Sequence, residues 1–401
     1  MLRAHPLLNP TAFEERLIEW LGGCPAEPLH EPHLVAAIVW LVRAQDATQD
    51  GGLSRGFSLV RHPHFDRYGW QPSYPETTGY IIPTLYAAAA RLARPDLAAR
   101  AERAARWEID IQLPTGAVRG GVIGEPESPA VFNTGQVLLG WLAAFQESEN
   151  GRFADAARRA ASYLTAMLDG DGHWRRGNSR FARADTTLYN TRTAWALAEA
   201  GVRLDVDAFT DAAARNLQAA AELQASNGWL PFCCLTDPER PLLHTLAYAI
   251  RGLLEGGRVI GDPRLLRAAA LAAGALAETV RADGWMSGRY RADWSPAVRW
   301  SCLTGQAQMA NNWIRLATIT GDQKWLEPVP VVLGFLKRTQ NRSSREPGLR
   351  GGIKGALPVG GAYGAYEVLS WATKFFADAL MRHEAIQAGG LAVASPVSVL
   401  A

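Results

Sequence analysis

The chain has 401 residues, of which 48% are hydrophobic and 20% charged, as in globular proteins, and its net charge is +2. Charges of both signs are interspersed without a basic block, so nucleic acid and membrane surfaces are not predicted as partners. The N-terminus lacks the apolar core of a signal peptide, no apolar run has transmembrane length, and four cysteines are too few for a disulfide framework. We therefore expect a soluble, reduced, cytoplasmic protein without stable membrane insertion.

Apolar residues at helical spacing predict two helices early in the chain, over 11–23 and 32–46. A loop rich in Arg, His and Trp then runs to Tyr74. The next helix is predicted over about 75–92, because Pro75 suits a first helical turn and Glu76 suits the positive end of the helix dipole.

The same order of elements recurs along the rest of the chain: an amphipathic helix, a turn with Gly or Gly-Trp, a loop, and a helix that is apolar nearly all round. The amphipathic helices are predicted over 96–113, 152–169, 206–225, 263–282 and 323–340. The starts of the apolar helices align at Thr78, Thr134, Thr191, Thr245, Thr304 and Tyr366, with spacings of 56, 57, 54, 59 and 62 residues. Six units of similar length and identical order indicate an internal repeat.

This repeat predicts the fold. A helix that is apolar all round must be buried on every side, and a closed ring of six inner helices wrapped by six outer ones achieves that. The expected fold is an all-α (α/α)6 toroid that forms a single domain over 1–401, with 388–401 as a flexible tail; short hairpins in the loops are compatible with it. For the Asp/Asn-Gly-Trp turns we favour packing, in which Gly ends the outer helix and Trp packs between layers. Sugar stacking by some of these tryptophans is the alternative.

The ring also predicts where a site would lie. The inner helices are parallel, so their N-termini converge on one end, which becomes electropositive and favours an anionic group such as a uronate carboxylate or a phosphate. The candidates at the helix starts are Tyr74, Glu76, Tyr80, Asn133, Gln136, Tyr189, Asn190, Arg192, His244, Tyr248, Gln306, Gln308, Asn311, Tyr363, Tyr366 and Glu367. The loops add Arg55, Arg119, Trp174, Arg175, Arg180, Arg289, Tyr290, Arg299 and Lys354. Helix capping is the alternative interpretation for the Asn and Thr residues at these starts.

Proton abstraction from a uronate, by a lyase or a 5-epimerase, is the first chemistry that this set could support. It requires neutralisation of the carboxylate and acids or bases that flank carbon 5, and Tyr189, Arg192, His244, Tyr290 and Tyr366 match that demand.

Glycoside hydrolysis is the second chemistry, and it requires two carboxyl groups that face one bond. Glu76 and Glu367 are expected to open the first and sixth inner helices, which ring closure makes neighbours. The loop alternatives are Asp66, Glu125, Asp185 and Asp293. A carboxylate at a helix N-terminus is also favourable for purely electrostatic reasons, so a structural role is the alternative.

Isoprenoid cyclisation or prenyl transfer is the third chemistry. The acidic motifs that a cyclase needs are absent from the sequence. A zinc site built from Cys233 or Cys234, Asp237, His244 and Cys302 is conceivable, although a free Cys is more often a small buried apolar residue. We assign no metal and no cofactor. The catalytic candidates are then Tyr189, His244, Glu76, Glu367, Tyr366 and Arg192.

Three resemblances to known families accompany these patterns. The six-unit toroid with Gly/Trp turns resembles the squalene cyclase and prenyltransferase superfamily in architecture, across nearly the whole chain. The segment 299–307 (RWSCLTGQA), followed by 316–322 (LATITGD), is similar to the Trp-Ser-x-x-x-x-Gln-Ala segment of glucuronyl 5-epimerase C-terminal domains. The segment 74–84 (YPETTGYIIPT) more closely resembles one in Vibrio-type exopolysaccharide proteins, helical proteins of bacterial surface-polysaccharide biosynthesis.

The resemblances imply a carbohydrate-active enzyme of exopolysaccharide assembly whose partner is an acidic oligosaccharide or polysaccharide precursor. Epimerase or lyase chemistry ranks above hydrolysis in this interpretation. A toroid enzyme that acts on isoprenoid or peptide substrates, and a non-catalytic glycan-binding or scaffold protein, are the alternatives.

Overall fold

The computed structural model describes residues 9–178, 188–234 and 236–389. Two loop candidates, Arg180 and Asp185, lie outside the described residues, as does 390–401 of the expected tail. None of the helices in these ranges is both long enough and apolar enough to cross a membrane.

The described part is mainly helical. Its α-helices are α1 (Pro10–Trp20), α2 (Glu31–Asp46), α3 (Pro75–Arg91), α4 (Pro95–Asp110), α5 (Val131–Ser148), α6 (Gly151–Met167), α7 (Thr191–Leu204), α8 (Asp207–Glu222), α9 (Leu243–Ile260), α10 (Pro263–Ala277), α11 (Leu303–Thr320), α12 (Val329–Thr339) and α13 (Ser370–Gln387). Single 3₁₀ turns span Leu188–Asn190 and Gln323–Leu326.

Six of these helices form the inner ring: α3, α5, α7, α9, α11 and α13 each pack against the next, and α13 packs against α3. The outer layer consists of α4, α6, α8, α10, α12 and α2. The predicted (α/α)6 toroid is confirmed.

Glycines bring the inner helices together. A Cβ atom added to Gly79 would come within 3 Å of Val137 on the next helix, and the same holds for Gly135 against Thr193 and for Gly305 against His244. Any side chain at these positions would push neighbouring helices apart. The close packing of the inner ring therefore requires glycine here.

The last outer helix differs from its prediction over 323–340. The 3₁₀ turn Gln323–Leu326 comes first, and α12 starts only at Val329. Pro328 and Pro330 explain the break, because proline lacks the N–H group needed inside a helix and is tolerated only in its first turn.

The Gly turns that end the outer helices are packing devices. Gly116, Gly172, Gly284 and Gly351 have φ angles of +86°, +85°, +85° and +96°. A Cβ on each would come within 3 Å of a backbone carbonyl oxygen in the next outer helix around the ring. Glycine is therefore required both for the left-handed conformation and for the close approach.

A repeated hydrogen bond marks the inner helix starts and corrects the sixth alignment. The hydroxyl groups of Thr78 and Thr134 accept the backbone N–H groups of Leu53 and Val118, each at 2.9 Å. In the sixth unit the hydroxyl that accepts in this way, also at 2.9 Å, belongs to Thr373. The alignment on Tyr366 was wrong by seven residues.

Short strands explain that shift. β1 (Gly56–Ser58), β2 (Gly69–Trp70) and β5 (Glu367–Leu369) form an antiparallel sheet in the order β2-β1-β5, and Ser58 lies opposite Glu367. β3 (Ser301–Cys302) pairs with β4 (Ala356–Leu357). Glu367 therefore lies in a strand that joins the first long loop to the last, and does not open α13 as predicted.

Candidate active site

The two ends of the ring differ in the length of their loops. Where the inner helices end, the connections are as short as 92–94, 149–150 and 261–262. Where the inner helices begin, long segments such as 47–74 and 340–369 precede them. Long loops on a rigid scaffold carry a large share of binding and catalytic residues, so the inner-helix N-termini are the end to search first.

Uncapped helix N-termini characterise this end. Tyr74, Ala130, Asn190, Leu242, Cys302 and Leu369 are the N-cap residues of the six inner helices, and none makes a side-chain capping hydrogen bond. Among the outer helices, Asn150 and Asp262 cap α6 and α10, whereas α2, α4, α8 and α12 also lack a side-chain cap. Six helix dipoles thus point their positive ends at one place, which favours an anion. The first N–H groups of α5, α9, α11 and α13 already donate to loop carbonyls, so the attraction comes mainly from the dipoles. Capping, the alternative considered for Asn190, is not what its side chain does.

Glu76 lies in the first turn of α3 and accepts a hydrogen bond from the Tyr74 hydroxyl. Burial raises the pKa of Glu76 to about 7, against the lowering effects of the Tyr74 hydrogen bond and of the Arg192 and Arg55 charges. A carboxyl group that titrates near neutral pH can both donate and accept a proton in a reaction cycle.

His244 lies in the first turn of α9, and its Nδ1 is 2.8 Å from the amide oxygen of Gln308. Since that oxygen can only accept, Nδ1 carries the proton and Nε2 is the proton-accepting nitrogen. Burial lowers the pKa of His244 to about 4, the Gln308 hydrogen bond opposes this effect, and the Arg192 charge adds to it. His244 is therefore neutral at pH 7.

The pKa of Glu367 is shifted in the opposite direction to that of Glu76. Its Oε1 lies 2.6 Å from Nη1 of Arg55, 2.5 Å from Nε2 of Gln71 and 3.3 Å from Nε2 of His62. Although burial alone would raise its pKa, Arg55, His62 and Gln71 lower the pKa of Glu367 to about 2. With only 4% of its surface exposed, Glu367 is an ionised anchor for Arg55.

Aromatic side chains surround these groups. The Phe132 ring is 5.1 Å from that of Tyr189, and the His244 ring is 4.4 Å from Tyr248 and 5.4 Å from Tyr363. Nε1 of Trp371 donates to the Tyr363 hydroxyl at 2.8 Å, and the Arg55 guanidinium lies 5.0 Å from the Trp371 ring centre. Aromatic faces of this kind suit the apolar faces of sugar rings.

The buried Tyr189 hydroxyl, in the 3₁₀ turn before α7, has no hydrogen-bond partner among the described residues. Burial raises the pKa of Tyr189, and the nearby Glu76 raises it further. A buried phenol without a partner is costly in a finished core, so a ligand oxygen is a natural partner for it.

Arg192 lies deeper in the ring. Its Nε donates to the Gln136 amide oxygen at 2.6 Å, and its guanidinium lies 5.1 Å from the Tyr248 ring centre and 5.9 Å from that of Tyr80. Its charge reaches Glu76 and His244 through the low-dielectric interior. Arg192, Gln136 and Tyr80 thus form the floor beneath the candidate site.

Several predicted substrate-binding residues are structural. Trp174 is fully buried, and its Nε1 donates to the carbonyl of Leu164 at 2.9 Å. The buried hydroxyl of Tyr290 accepts the N–H of Ser287, and buried Gln306 bonds to Ser301. These buried side chains thus have their hydrogen-bond partners within the protein, in the loops and at the helix starts.

Lys354 is likewise buried, in ion pairs with Glu15 and Glu19 of α1. It fixes α1 to the last loop. Arg175 is exposed and pairs with Asp171 at 2.6 Å, while exposed Arg299 lies beside a surface hollow with Trp285. Neither Arg175 nor Arg299 belongs to the cluster around Glu76.

The remaining candidates lie at the edges of the site. Asn133 donates to the carbonyl of Arg119 at 3.1 Å, and Asn190 donates to Asn178 at 3.1 Å while its own buried amide oxygen lacks a described partner. Tyr366 lies in the turn before β5 with a φ angle of +59°, and its carbonyl accepts the N–H of Leu59.

The conceivable zinc site does not form. Within the ranges that the structure describes, no three His, Cys, Asp or Glu side chains are grouped so as to hold a metal ion. Sγ of Cys233 donates instead to the carbonyl of Thr245 at 3.3 Å, and Cys302 is a fully buried thiol.

Sequence reasoning missed His62, Gln71, Phe132 and Trp371. His62 and Gln71 lie in the first long loop, whose richness in polar and aromatic residues was the available signal. Trp371 is the second residue of α13. It was not considered as a site residue because the sixth helix start was aligned on Tyr366.

Comparison with solved structures supports the fold. The chain is similar to an unsaturated glucuronyl hydrolase specific for heparin, with a TM-score of 0.71 and 17% identity over 90% of this chain and 98% of that one. An unsaturated glucuronyl hydrolase from Bacillus sp. GL1 gives 0.68 and 14% over 89% and 97%. Cellobiose 2-epimerase from Bacillus thermoamylovorans gives 0.67 and 11% over 93% and 99%. No family model and no curated protein sequence matches the chain. At these identities the likeness establishes the fold alone.

Proposed function

We propose that this protein is a carbohydrate-active enzyme that moves a proton at carbon 5 of a uronate in an acidic glycan or its precursor, as a 5-epimerase or a lyase. The observation that carries the proposal is the contrast between two titratable groups at one end of the ring. Glu76 has a pKa of about 7, and His244 is a neutral imidazole with a pKa of about 4. Groups whose environments separate their protonation states in this way are candidates for acid and base.

Substrate binding follows from the electrostatics. The uronate carboxylate would face the uncapped helix N-termini and Arg55, which neutralise the charge that develops as the proton at carbon 5 leaves. The sugar ring would lie against Trp371 and Tyr363.

The proton transfers then have assigned groups. Nε2 of His244 removes the proton from carbon 5, and the electron pair moves into the carboxylate. In an epimerase the carboxyl group of Glu76 returns a proton to the opposite face. In a lyase the bond from carbon 4 to its glycosidic oxygen breaks instead, and Glu76 protonates the leaving oxygen.

Hydrolysis is the second candidate. Two carboxyl groups with separated pKa values, Glu76 and Glu367, favour it, as do neighbours named as glucuronyl hydrolases. Against it, Glu367 is buried and already paired with Arg55. Epimerase or lyase chemistry therefore ranks first.

The isoprenoid alternative loses support because its zinc ligands do not come together in the described residues. A role in bacterial surface-polysaccharide assembly rests on the resemblance of segment 74–84 and is part of this proposal.

Hydrogen–deuterium exchange tests the proposed function. Glucuronate-containing oligosaccharides incubated with the protein in D₂O should gain deuterium at carbon 5 or yield an unsaturated product. Glu76→Gln and His244→Gln should each reduce that rate by about 10²-fold or more, because each removes one proton-transfer group.

The exposed Glu14→Gln on α1 is the control and should retain the full rate. Release of a saturated sugar without exchange would instead establish the hydrolase. Unchanged activity in Glu76→Gln would remove Glu76 from the mechanism.

A further inference from the structure

The bore of the ring contains a cavity that is remote from the loops of the candidate active site. This axial cavity of about 610 Å³ is lined by all six inner helices. Its floor includes Arg192 and Tyr80, and its lining extends to Glu147, Arg203 and Arg258 near the C-terminal ends of the inner helices. Because these last three side chains are exposed, the cavity opens at the end opposite the uncapped N-termini.

Positive charge is in excess along its wall. Seven cationic side chains line the axial cavity, namely Arg192, Arg203, Arg251, Arg258, Arg315, Lys374 and Arg382. Four carboxylates line it, namely Glu147, Glu199, Glu255 and Asp378. The helix C-termini at this end carry partial negative charge, which accounts for part of the excess but not for cations placed deep in the bore.

The ion pairs leave this excess uncompensated. The carboxylate of Glu255 is 3.0 Å from Arg251, 2.9 Å from Arg258 and 2.7 Å from Arg315. Glu199 pairs with Arg258 at 2.7 Å and with Arg203 at 3.1 Å. Lys374 is paired with Asp378 at 2.6 Å. These pairs still leave seven cations against four carboxylates along the lining, and a partly buried cation without its own carboxylate is costly.

Two arginines have unused hydrogen-bonding capacity. Arg251 is 8% exposed, and its Nε has no hydrogen-bond partner within the described ranges. Half-buried Arg382 forms no hydrogen bond or ion pair with any residue that the structure describes. The charge of Asp378 stabilises its guanidinium, and the charge of Arg315 opposes it. A buried donor without a partner is costly, so both groups favour a ligand with several acceptor oxygens.

We propose that the axial cavity binds the phosphoryl group of a small molecule, through Arg251 and Arg382. Three surplus positive charges favour a multiply charged oxyanion over a single carboxylate. Arginine is suited to phosphate because its planar donors match two phosphate oxygens at once. The volume leaves room for a group the size of a sugar beside the phosphate, and Trp195 offers it an aromatic face.

Calorimetric titration of the full chain with inorganic pyrophosphate at low ionic strength tests this site. One equivalent should bind, and Arg382→Gln should weaken the affinity about tenfold or more, since a charged donor is lost. Asp378, the carboxylate on which the Arg382 charge acts most, keeps its ion pair with Lys374 at 2.6 Å when Arg382 is removed, so the variant should fold. Circular dichroism and the melting temperature verify that.

Two control variants locate the bound ion. Arg152→Gln, on the exposed face of outer helix α6, should bind pyrophosphate as the wild type does, and so should Glu76→Gln. Absence of binding, equal weakening by Arg152→Gln, or loss of binding in Glu76→Gln would each overturn the proposal. Glucuronate that competes for pyrophosphate would do the same, because it would place the ion at the other end of the ring.

Discussion

Two glutamates of this chain show how environment decides protonation. The Arg55 charge lowers the pKa of both Glu76 and Glu367, yet burial dominates for the first and ion pairing for the second. The difference arises because Arg55 Nη1 contacts Glu367 directly at 2.6 Å, whereas Glu76 is bonded to a neutral phenol. This difference is why we propose proton transfer for Glu76 and a structural role for Glu367.

The raised pKa of Glu76 predicts a pH-dependent stability. Its pKa is about 7 in the folded chain against 4.5 for the unperturbed group. The folded state therefore binds more protons between these values, so the free energy of unfolding decreases as pH rises from 4.5 through 7. Glu76→Gln cannot ionise, and we expect it to be about 1–3 kcal/mol more stable than the wild type at pH 8, with no difference at pH 4.

Urea unfolding of both proteins at the two pH values measures this effect. Glu14→Gln, exposed on α1, should show no difference from the wild type at either pH. If Glu76→Gln increased the free energy of unfolding equally at pH 4 and pH 8, the stability would not be linked to protonation of Glu76, and the prediction would be wrong.

At the scale of the elements, the turn glycines explain how consecutive units pack. Gly284 has a φ angle of +85°, and a Cβ there would come within 3 Å of the Val331 carbonyl oxygen and the Phe335 side chain. Gly261, the C-cap residue of α9, has a similar φ of +77° with nothing within 4 Å. Substitutions at these two positions can therefore distinguish the cost of backbone strain from the cost of steric contact.

We expect Gly261→Ala to cost about 1 kcal/mol of stability from backbone strain alone. Gly284→Ala should cost about 1–3 kcal/mol more, since α12 must also move away. Urea denaturation of the two variants checks this difference. Equal losses would mean that contact with the next outer helix contributes nothing at Gly284.

Periodicity and turn residues were enough to predict most elements. The six apolar segments became the six inner helices because a helix without a polar face can only be stable at the centre. The sixth start was misplaced because a strand and a long loop follow Gly351, and the repeated threonine had moved to Thr373. Local sequence could not show that β5 pairs with β1, about 310 residues away along the chain.

The site was harder to predict than the fold. Residues at helix starts were predicted as a class, and Tyr74, Glu76, Tyr189, His244 and Tyr363 do lie together near the aromatic cluster. Trp174, Tyr290 and Lys354 are of residue types that are equally suited to binding a sugar. In the structure they are buried, and they bond to other groups of the protein. Their roles depend on whether a partner is in reach, which only the three-dimensional arrangement decides.

The whole molecule has two different ends. Long loops, uncapped helix N-termini and the groups around Glu76 define one end, and the axial cavity with its arginines opens at the other. Arg192, on the floor between them, lies among the rings of Tyr80, Tyr248 and Phe375. We propose carbohydrate chemistry at the first end and phosphoryl binding at the second.

A crystal structure with a glucuronate-containing disaccharide tests this assignment most directly. The account predicts that the uronate carboxylate lies at the inner-helix N-termini within hydrogen-bonding distance of Arg55 or backbone N–H groups, that the sugar ring lies against Trp371, and that Glu76 and His244 flank carbon 5. A disaccharide bound in the axial cavity, with the space around Glu76 empty, would contradict it.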